Sequence, residues 1–292
     1  MAADKTPAIV IRTVPFGETS CVVTLYTREF GKLRALAKGA WRPKSAFDGA
    51  LDLLSICQVL VLRKVSGGLD LLTEAHLGSR FRVAGSLPAV YGGMYIAELL
   101  DALSADADPQ PEMFDVAETT LAALSGHSGG EDAVHRLVIH AELTMLRLIG
   151  QAPTLVHCAE CLASVAGHSR IAFGMLDGGA LCAGCRQGRR AVVSVSADTI
   201  ASMHLLSGPP AGWKDRVNFP AAIHGELRAV MNTYLSHLVG RRLTVSRWLS
   251  PASRTARPSR TNSLLCFIEP RLVAHSWPQP SAAYSWCRAA PR

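Results

Sequence analysis

No apolar run in this chain of 292 residues approaches the roughly 18–20 residues that a helix needs to cross a bilayer. The first residues, Met1-Ala2-Ala3-Asp4-Lys5, lack the charged-then-apolar profile of a secretory leader. There is no G-x-x-x-x-G-K-[ST] phosphate loop, and no G-x-G-x-x-G between a strand and a helix. H-E-x-x-H and G-x-S-x-G are absent as well, which removes the commonest signatures of zinc and serine hydrolases. The ten histidines are dispersed, and His135 and His140 fall five apart on a helix, a poor spacing for shared ligation. No internal repeat is visible. Hydrophobic content of 49% against 18% charged residues excludes a largely disordered chain, and the length leaves room for about two domains.

Cysteine is what the chain does have in a pattern. Of eight cysteines, four stand as two matched pairs, Cys158-x-x-Cys161 and Cys182-x-x-Cys185, with twenty residues between the pairs. Each turn of this kind brings two thiolates to one side of a tetrahedral Zn²⁺. The loop between them contains a strand-like run over 170–176 and a tight turn at Asp177-Gly178-Gly179, so the segment 155–190 reads as a zinc ribbon. Two thiol pairs without metal are the plain alternative. A redox pair fits less well, because one pair suffices and no strand–Trp-Cys–helix context precedes either. His157 could replace a cysteine, but four cysteines make it unnecessary. A closed Cys₄ site is structural, not catalytic. Cys21 and Cys57 sit in apolar strand-like runs as buried thiols, while Cys266 and Cys287 are scattered. This usage suits a reducing cytoplasm.

Turn signals divide the first 80 residues into five strand-like runs, at 8–14, 19–27, 32–38, 53–64 and 69–76. Five short strands make a small barrel. The OB-fold is the leading candidate, with an SH3-like barrel left open. From residue 87 the period changes to three and four. Helices are expected over 89–104, 112–125 and 131–150, then, beyond the ribbon, over 196–206 and 220–239. The fold class is thus α+β. An OB barrel over 1–80 precedes an all-helical domain over 81–250, with the ribbon inserted and looped out. Residues 251–292, rich in Ser, Pro and Arg, read as a basic, disordered tail.

The formal charge of +7 is unevenly spread. Residues 1–80 carry 11 Lys/Arg against 7 Asp/Glu, residues 81–150 carry 3 against 10, and residues 151–250 carry 10 against 5. Basic segments flanking an acidic one suggest a polyanion-binding surface built from the first and third. By strand alternation Lys32, Arg34 and Lys38 project together, and Arg42 and Lys44 follow around Trp41. Cations beside an aromatic ring can track phosphates and stack a base. An ordinary solvated strand face is the alternative. Arg186, Arg189 and Arg190 either keep the ribbon soluble or add a phosphate contact, and Arg241, Arg242 and Arg247 complement a helix C-terminus. Asp101, Asp106, Asp108, Glu112, Asp115 and Glu118 are read as caps and solvated turns rather than as a divalent-metal site.

The run Ala8-Ile9-Val10-Ile11-Arg12-Thr13, Pro15-Phe16-Gly17-Glu18-Thr19-Ser20, Val23-Thr24-Leu25-Tyr26-Thr27, Gly31-Lys32-Leu33, Ala37-Lys38-Gly39-Ala40 and Arg42-Pro43-Lys44-Ser45 resembles the RecO recombination mediators of bacteria. The zinc pairs and the closing His237-Leu238-Val239-Gly240-Arg241-Arg242-Leu243 are similar too, so the resemblance covers about residues 7–250. It implies a non-enzymatic, cytoplasmic, nucleoid-associated protein that binds single- and double-stranded DNA and anneals complementary strands. It also implies work with the RecR protein and single-stranded DNA-binding protein to load recombinase. Carried over by position, it implies DNA contacts at Arg12, Lys32, Arg34, Lys38, Arg42 and Lys44, and zinc ligands at Cys158, Cys161, Cys182 and Cys185. Within nucleic-acid binding the runner-up is an RNA- or transcription-associated protein. A zinc hydrolase or thiol oxidoreductase is a distant third.

Overall fold

Strands whose alternate residues are small or aliphatic can close on themselves, and the first third of the chain does so. The computed structural model describes residues 3–47, 49–64, 68–126, 130–213 and 219–249. Strands β1 (Ala3–Phe16), β2 (Ser20–Thr27), β3 (Gly31–Ala37), β4 (Ile56–Leu62) and β5 (Asp70–Ser79) form a closed barrel in the order β1-β2-β3-β5-β4. Every pairing is antiparallel except that of β3 with β5. That closure is OB connectivity, which settles the choice of barrel. Val10, Val23, Leu25, Ala35, Ala37, Val59, Val61 and Leu72 fill the interior. Each Val or Leu side chain buried there contributes about 1.5–3 kcal/mol. Cys21 and Cys57 lie among them, and burial pushes their thiols up to about 11 and about 12, so neither ionises near neutrality.

Opposite parity in β1 and β2 turns Ile9, Ile11 and Tyr26 outward, and these join the core of the helices instead of the barrel's. Helices α1 (Leu87–Leu103), α2 (Pro111–Ser125), α3 (Glu131–Leu148), α4 (Ala197–Leu206) and α5 (Ala221–Val239) match the periodicity to within two residues at each end. Their ends follow local chemistry. The Ser86 and Ser196 side chains accept from the Ala89 and Thr199 amides, Glu131 and Asp132 sit in the positive first turn of α3, and Gly240 (φ 73°) terminates α5. Gly93 of α1 has no room for a Cβ, which would lie 2.5 Å from the Phe81 ring. The chain then returns through a 3-10 turn, Val245–Leu249; the amide of Thr244, just before it, and that of Val245 donate to Glu98 of α1 at 2.6 and 2.8 Å. Trp248 stacks on Tyr91, with ring centroids 5.5 Å apart.

The ribbon departs from expectation in how it attaches. Strands β6 (Arg170–Gly174) and β7 (Gly179–Leu181) form the expected hairpin, but β8 (Val192–Ser196) pairs with the other edge of β6 and runs directly into α4. Far from being looped out, the sheet buries Ile171, Phe173, Leu181 and Val195 in the same core as the helices. Phe173 meets Tyr234 of α5 edge-on at 5.9 Å. Glu226 of α5 fixes the β8–α4 junction, accepting from the Ser196 amide, the Ser196 hydroxyl and the Thr199 hydroxyl. Burial raises this carboxyl, but those hydrogen bonds outweigh it and leave the group below its ordinary value.

The chain divides into units Met1–Ser253 and Arg254–Arg292. The second unit, and with it the expected tail over 251–292 and its Trp277 and Trp286, lies outside the described residues. Among the described residues no helix is long and apolar enough to cross a membrane.

Candidate nucleic-acid interface and metal centre

Strand alternation places Lys32, Arg34 and the position of Lys38 on the outer face of β3, as expected, but that face is not uniform. The segment joining α1 to α2 lies across the strand's first residues, where the Ala107 amide donates to the Lys32 carbonyl at 2.9 Å. Gly31 is required there, because a Cβ would fall 2.1 Å from the Asp108 carbonyl oxygen. Lys32 is consequently only 9% exposed. Its ammonium donates to the carbonyls of Asp101 (2.8 Å) and Ser104 (2.9 Å) and pairs with the Asp101 and Asp106 carboxylates. Its ammonium is directed at the end of α1 and the segment that follows it. Arg34 remains exposed, and its guanidinium donates to Asp106 at 2.6 Å. Arg28, which the sequence reading passed over, pairs with Asp115 through two bonds of 2.9 and 3.0 Å. Three of the six acidic residues, Asp101, Asp106 and Asp115, are therefore less solvated turn residues than the counter-charge of one side of the barrel. Arg12 is exposed on β1 and lies in a cross-strand row with Thr24 and Arg34.

Past the end of β3 the surface is different. Lys38, Arg42 and Lys44, all exposed, line one cleft of about 370 Å³ with Ser45, Phe47 and Thr73. Lys44 adopts a left-handed backbone (φ 59°) in this turn. The Trp41 amide donates to the Thr19 carbonyl and the Gly39 amide to the Ser20 hydroxyl, which ties the cation turn to the β1–β2 turn. Two aromatic rings stand exposed on these joined turns, Trp41 at 51% and Phe16 at 55%. Phe16 was missed in the sequence. Its signal was an aromatic side chain inside a Pro-Phe-Gly turn, where nothing local can cover it.

The four paired cysteines converge as their spacing requires, with all four sulfurs within 4.8 Å of one another. Both pairs use the same turn: the Leu162 amide donates to the Cys158 carbonyl, and the Arg186 amide to that of Cys182. A further bond, from the Ala159 amide to the Ala180 carbonyl, holds the first turn against β7. Cys161 and Cys182 sulfurs stand 3.7 Å apart. This is far beyond a disulfide of about 2.05 Å and close to the edge of a tetrahedron with metal–sulfur bonds of about 2.3 Å. Burial raises the Cys158 thiol, yet amides of Cys161, Cys182 and Glu160 outweigh it and hold the thiol at about 6. Hydrogen bonding among the sulfurs, led by Cys161, instead pushes Cys185 up to about 12. Four thiols this close cannot all ionise beside one another without a cation, so the donor set fits Zn²⁺.

Of the remaining arginines, Arg189 is engaged within the ribbon, with Glu160 (2.8 Å) and Asp177 (2.9 Å), and Arg241 pairs with Glu98. Arg186 and Arg190 are exposed beside the cysteine centre.

Two family descriptions match this chain in tandem: "Recombination protein O N terminal" over residues 1–81 and "Recombination protein O C terminal" over residues 85–247. The chain is similar to the DNA repair protein RecO of Rhodopirellula baltica, at 37% identity over 257 residues that cover 80% of this chain and 94% of that protein. Similarity to the DNA repair protein RecO of Anaeromyxobacter dehalogenans is 34% over 251 residues, covering 84% and 95% of the two chains. With that of Salinibacter ruber it is 39% over 152 residues, covering 52% and 57%.

Proposed function

This chain belongs to the RecO family of DNA repair proteins, and we propose on that basis that it is a recombination mediator working by binding alone. In this reading it binds single- and double-stranded DNA, anneals complementary strands, and acts with the RecR protein and single-stranded DNA-binding protein to load recombinase at the nucleoid. The observation that carries it is the cleft at the end of β3, where three exposed cations stand beside exposed aromatic rings on an OB barrel. Annealing needs no catalytic group. Cations that neutralise phosphates on two strands lower their repulsion, and stacking on Trp41 and Phe16 holds bases unpaired and accessible.

Lys38, Arg42 and Lys44 are the principal phosphate contacts, with Arg12 and Arg34 flanking them. Lys32, buried against the segment after α1, is left out of this reading. Cys158, Cys161, Cys182 and Cys185 hold one Zn²⁺, which when bound neutralises their thiolates and staples the ribbon.

The test is binding to matched DNA and RNA oligonucleotides over a salt series, with a strand-annealing assay. Single-strand affinity falls with log[salt] by about 0.7 per phosphate contact. Lys38→Ala with Arg42→Ala flattens that slope by roughly 1–1.5 units and slows annealing. A folded double variant with unchanged slope puts the phosphate track elsewhere. Binding to RNA without DNA annealing favours the RNA-associated reading.

A further inference from the structure

His135 has no histidine at ligand spacing on its own helix, but the fold supplies one. His135 of α3 and His224, in the first turn of α5, face each other with ring centroids 5.7 Å apart. They are 6% and 5% exposed, and the Nε2 atom of each is buried without a hydrogen-bond partner. Backbone carbonyls of Leu249 and Phe219 stand against the rings of His135 and His224. With Nε2 unpartnered, a ring proton held on Nδ1 leaves the Nε2 lone pair free for a metal. Burial, then His224, lowers His135 to about 4, and burial lowers His224 as well, so both rings are neutral at pH 7.

Carboxylates complete the cluster. Asp132, one turn before His135, places Oδ1 3.4 Å from His224 Nε2, and Glu131 Oε1 lies 3.9 Å from His135 Nε2. The donor atoms of Asp132, His135 and His224 all lie within 4.8 Å of one another. Bonds of about 2.0–2.2 Å from a tetrahedral metal to nitrogen and oxygen put neighbouring ligands about 3.3–3.6 Å apart, a range that includes the Asp132–His224 separation of 3.4 Å. Acceptors alone converge here, and buried acceptors without a donor are costly. The nearby cations do not supply one. Arg228 is bound to Glu142 and Asn232, and Arg136, whose charge lowers His224, donates to neither imidazole, its Nε and Nη1 being buried without a hydrogen-bond partner.

We infer that Asp132, His135 and His224 form a second metal site, separate from the four cysteines, for a divalent ion of the imidazole-binding class such as Zn²⁺. Glu131 stands within reach as a fourth ligand. Bound metal there clamps the start of α3 to the start of α5 and so closes the helical domain across two segments distant in sequence.

The test is calorimetric titration of ZnCl₂ into the purified full chain already holding one Zn²⁺, with thermal melting alongside. The expected result is one further, weaker equivalent and a higher melting temperature. Asp132→Asn, a half-exposed position, weakens the second equivalent by at least about tenfold, an effect that loss of even a group behind a ligand can produce. It leaves the first equivalent unchanged, and His224→Gln loses the second equivalent too. With Co²⁺ in place of Zn²⁺, the second equivalent adds no thiolate-to-metal absorption. Absence of a second equivalent, equal affinity in Asp132→Asn, or thiolate absorption from the second Co²⁺ overturns the inference.

Discussion

Lys32 and Lys38 lie on one strand and have the same parity, yet they do opposite things. The Lys32 ammonium takes up the carbonyls of Asp101 and Ser104 at the C-terminal end of α1, a helix with no basic residue in its own last turn. A cation from the barrel thus supplies the favourable charge that the helix end wants. Lys38 projects into the open cleft. Lys32→Met leaves two carbonyls and a carboxylate without their donor, so urea unfolding should show a loss of about 1–3 kcal/mol. The salt slope of DNA binding should stay at its original value, because the lost charge never reached a phosphate. A slope flattened by about 0.7 in this variant, as for loss of one contact, would return Lys32 to the interface. Alternation along a strand was legible in the sequence and gave the right parity. What it could not reveal is which half of an outward face another element covers, since that depends on Asp101 and Asp106, some seventy residues away.

At the scale of elements, local signals were readable and long-range attachments were not. The helices announced themselves through period and caps. The paired-cysteine turns did so through their spacing, which is set within four residues. Strand β8 did not, because five residues of Val and Ser gain strand character only from β6, from which the second cysteine pair separates them in sequence. The paired imidazoles of His135 and His224 were invisible for the same reason: α3 and α5 meet only in the fold. The attachment of the ribbon has a measurable consequence. Cys182→Ser should lower bound zinc well below one per chain and destabilise the protein by on the order of several kcal/mol, since structural metal binding is coupled to folding. Because Phe173 packs on Tyr234, increased amide exchange should spread from β6–β8 into α5. The barrel interior, a separate cluster of buried residues, should keep its protection. Full zinc retention would remove Cys182 from the ligand set. Exchange confined to the ribbon would make it an appendage after all.

Across the whole molecule, charge is arranged so that part of the barrel's positive surface is neutralised from within. The basic first segment and the acidic second one meet along Arg28–Asp115, Lys32–Asp101 and Arg34–Asp106. The net charge of the segments suggested a polyanion surface, but along this seam it is neutralised, whereas Lys38, Arg42 and Lys44 beyond it line the open cleft. Arg34 sits at the boundary. Its pair with Asp106 is exposed on both sides, at 59% and 53%, so it contributes no more than about 1 kcal/mol to stability. Against DNA, the same aspartate competes with phosphate for one guanidinium. Asp106→Asn should therefore change unfolding free energy by less than about 1 kcal/mol, Lys32 keeping Asp101 and its two carbonyls. Single-strand binding at low salt should tighten, and the salt slope should steepen by up to about 0.7 as Arg34 gains a phosphate. The control is Arg34→Ala, alone and with Asp106→Asn. If the released arginine makes the contact, the aspartate substitution has no effect on the slope once Arg34 is gone. If the slope steepens equally without Arg34, removal of a negative charge from the general field accounts for the gain, and the DNA path runs past the cleft without crossing the middle of β3.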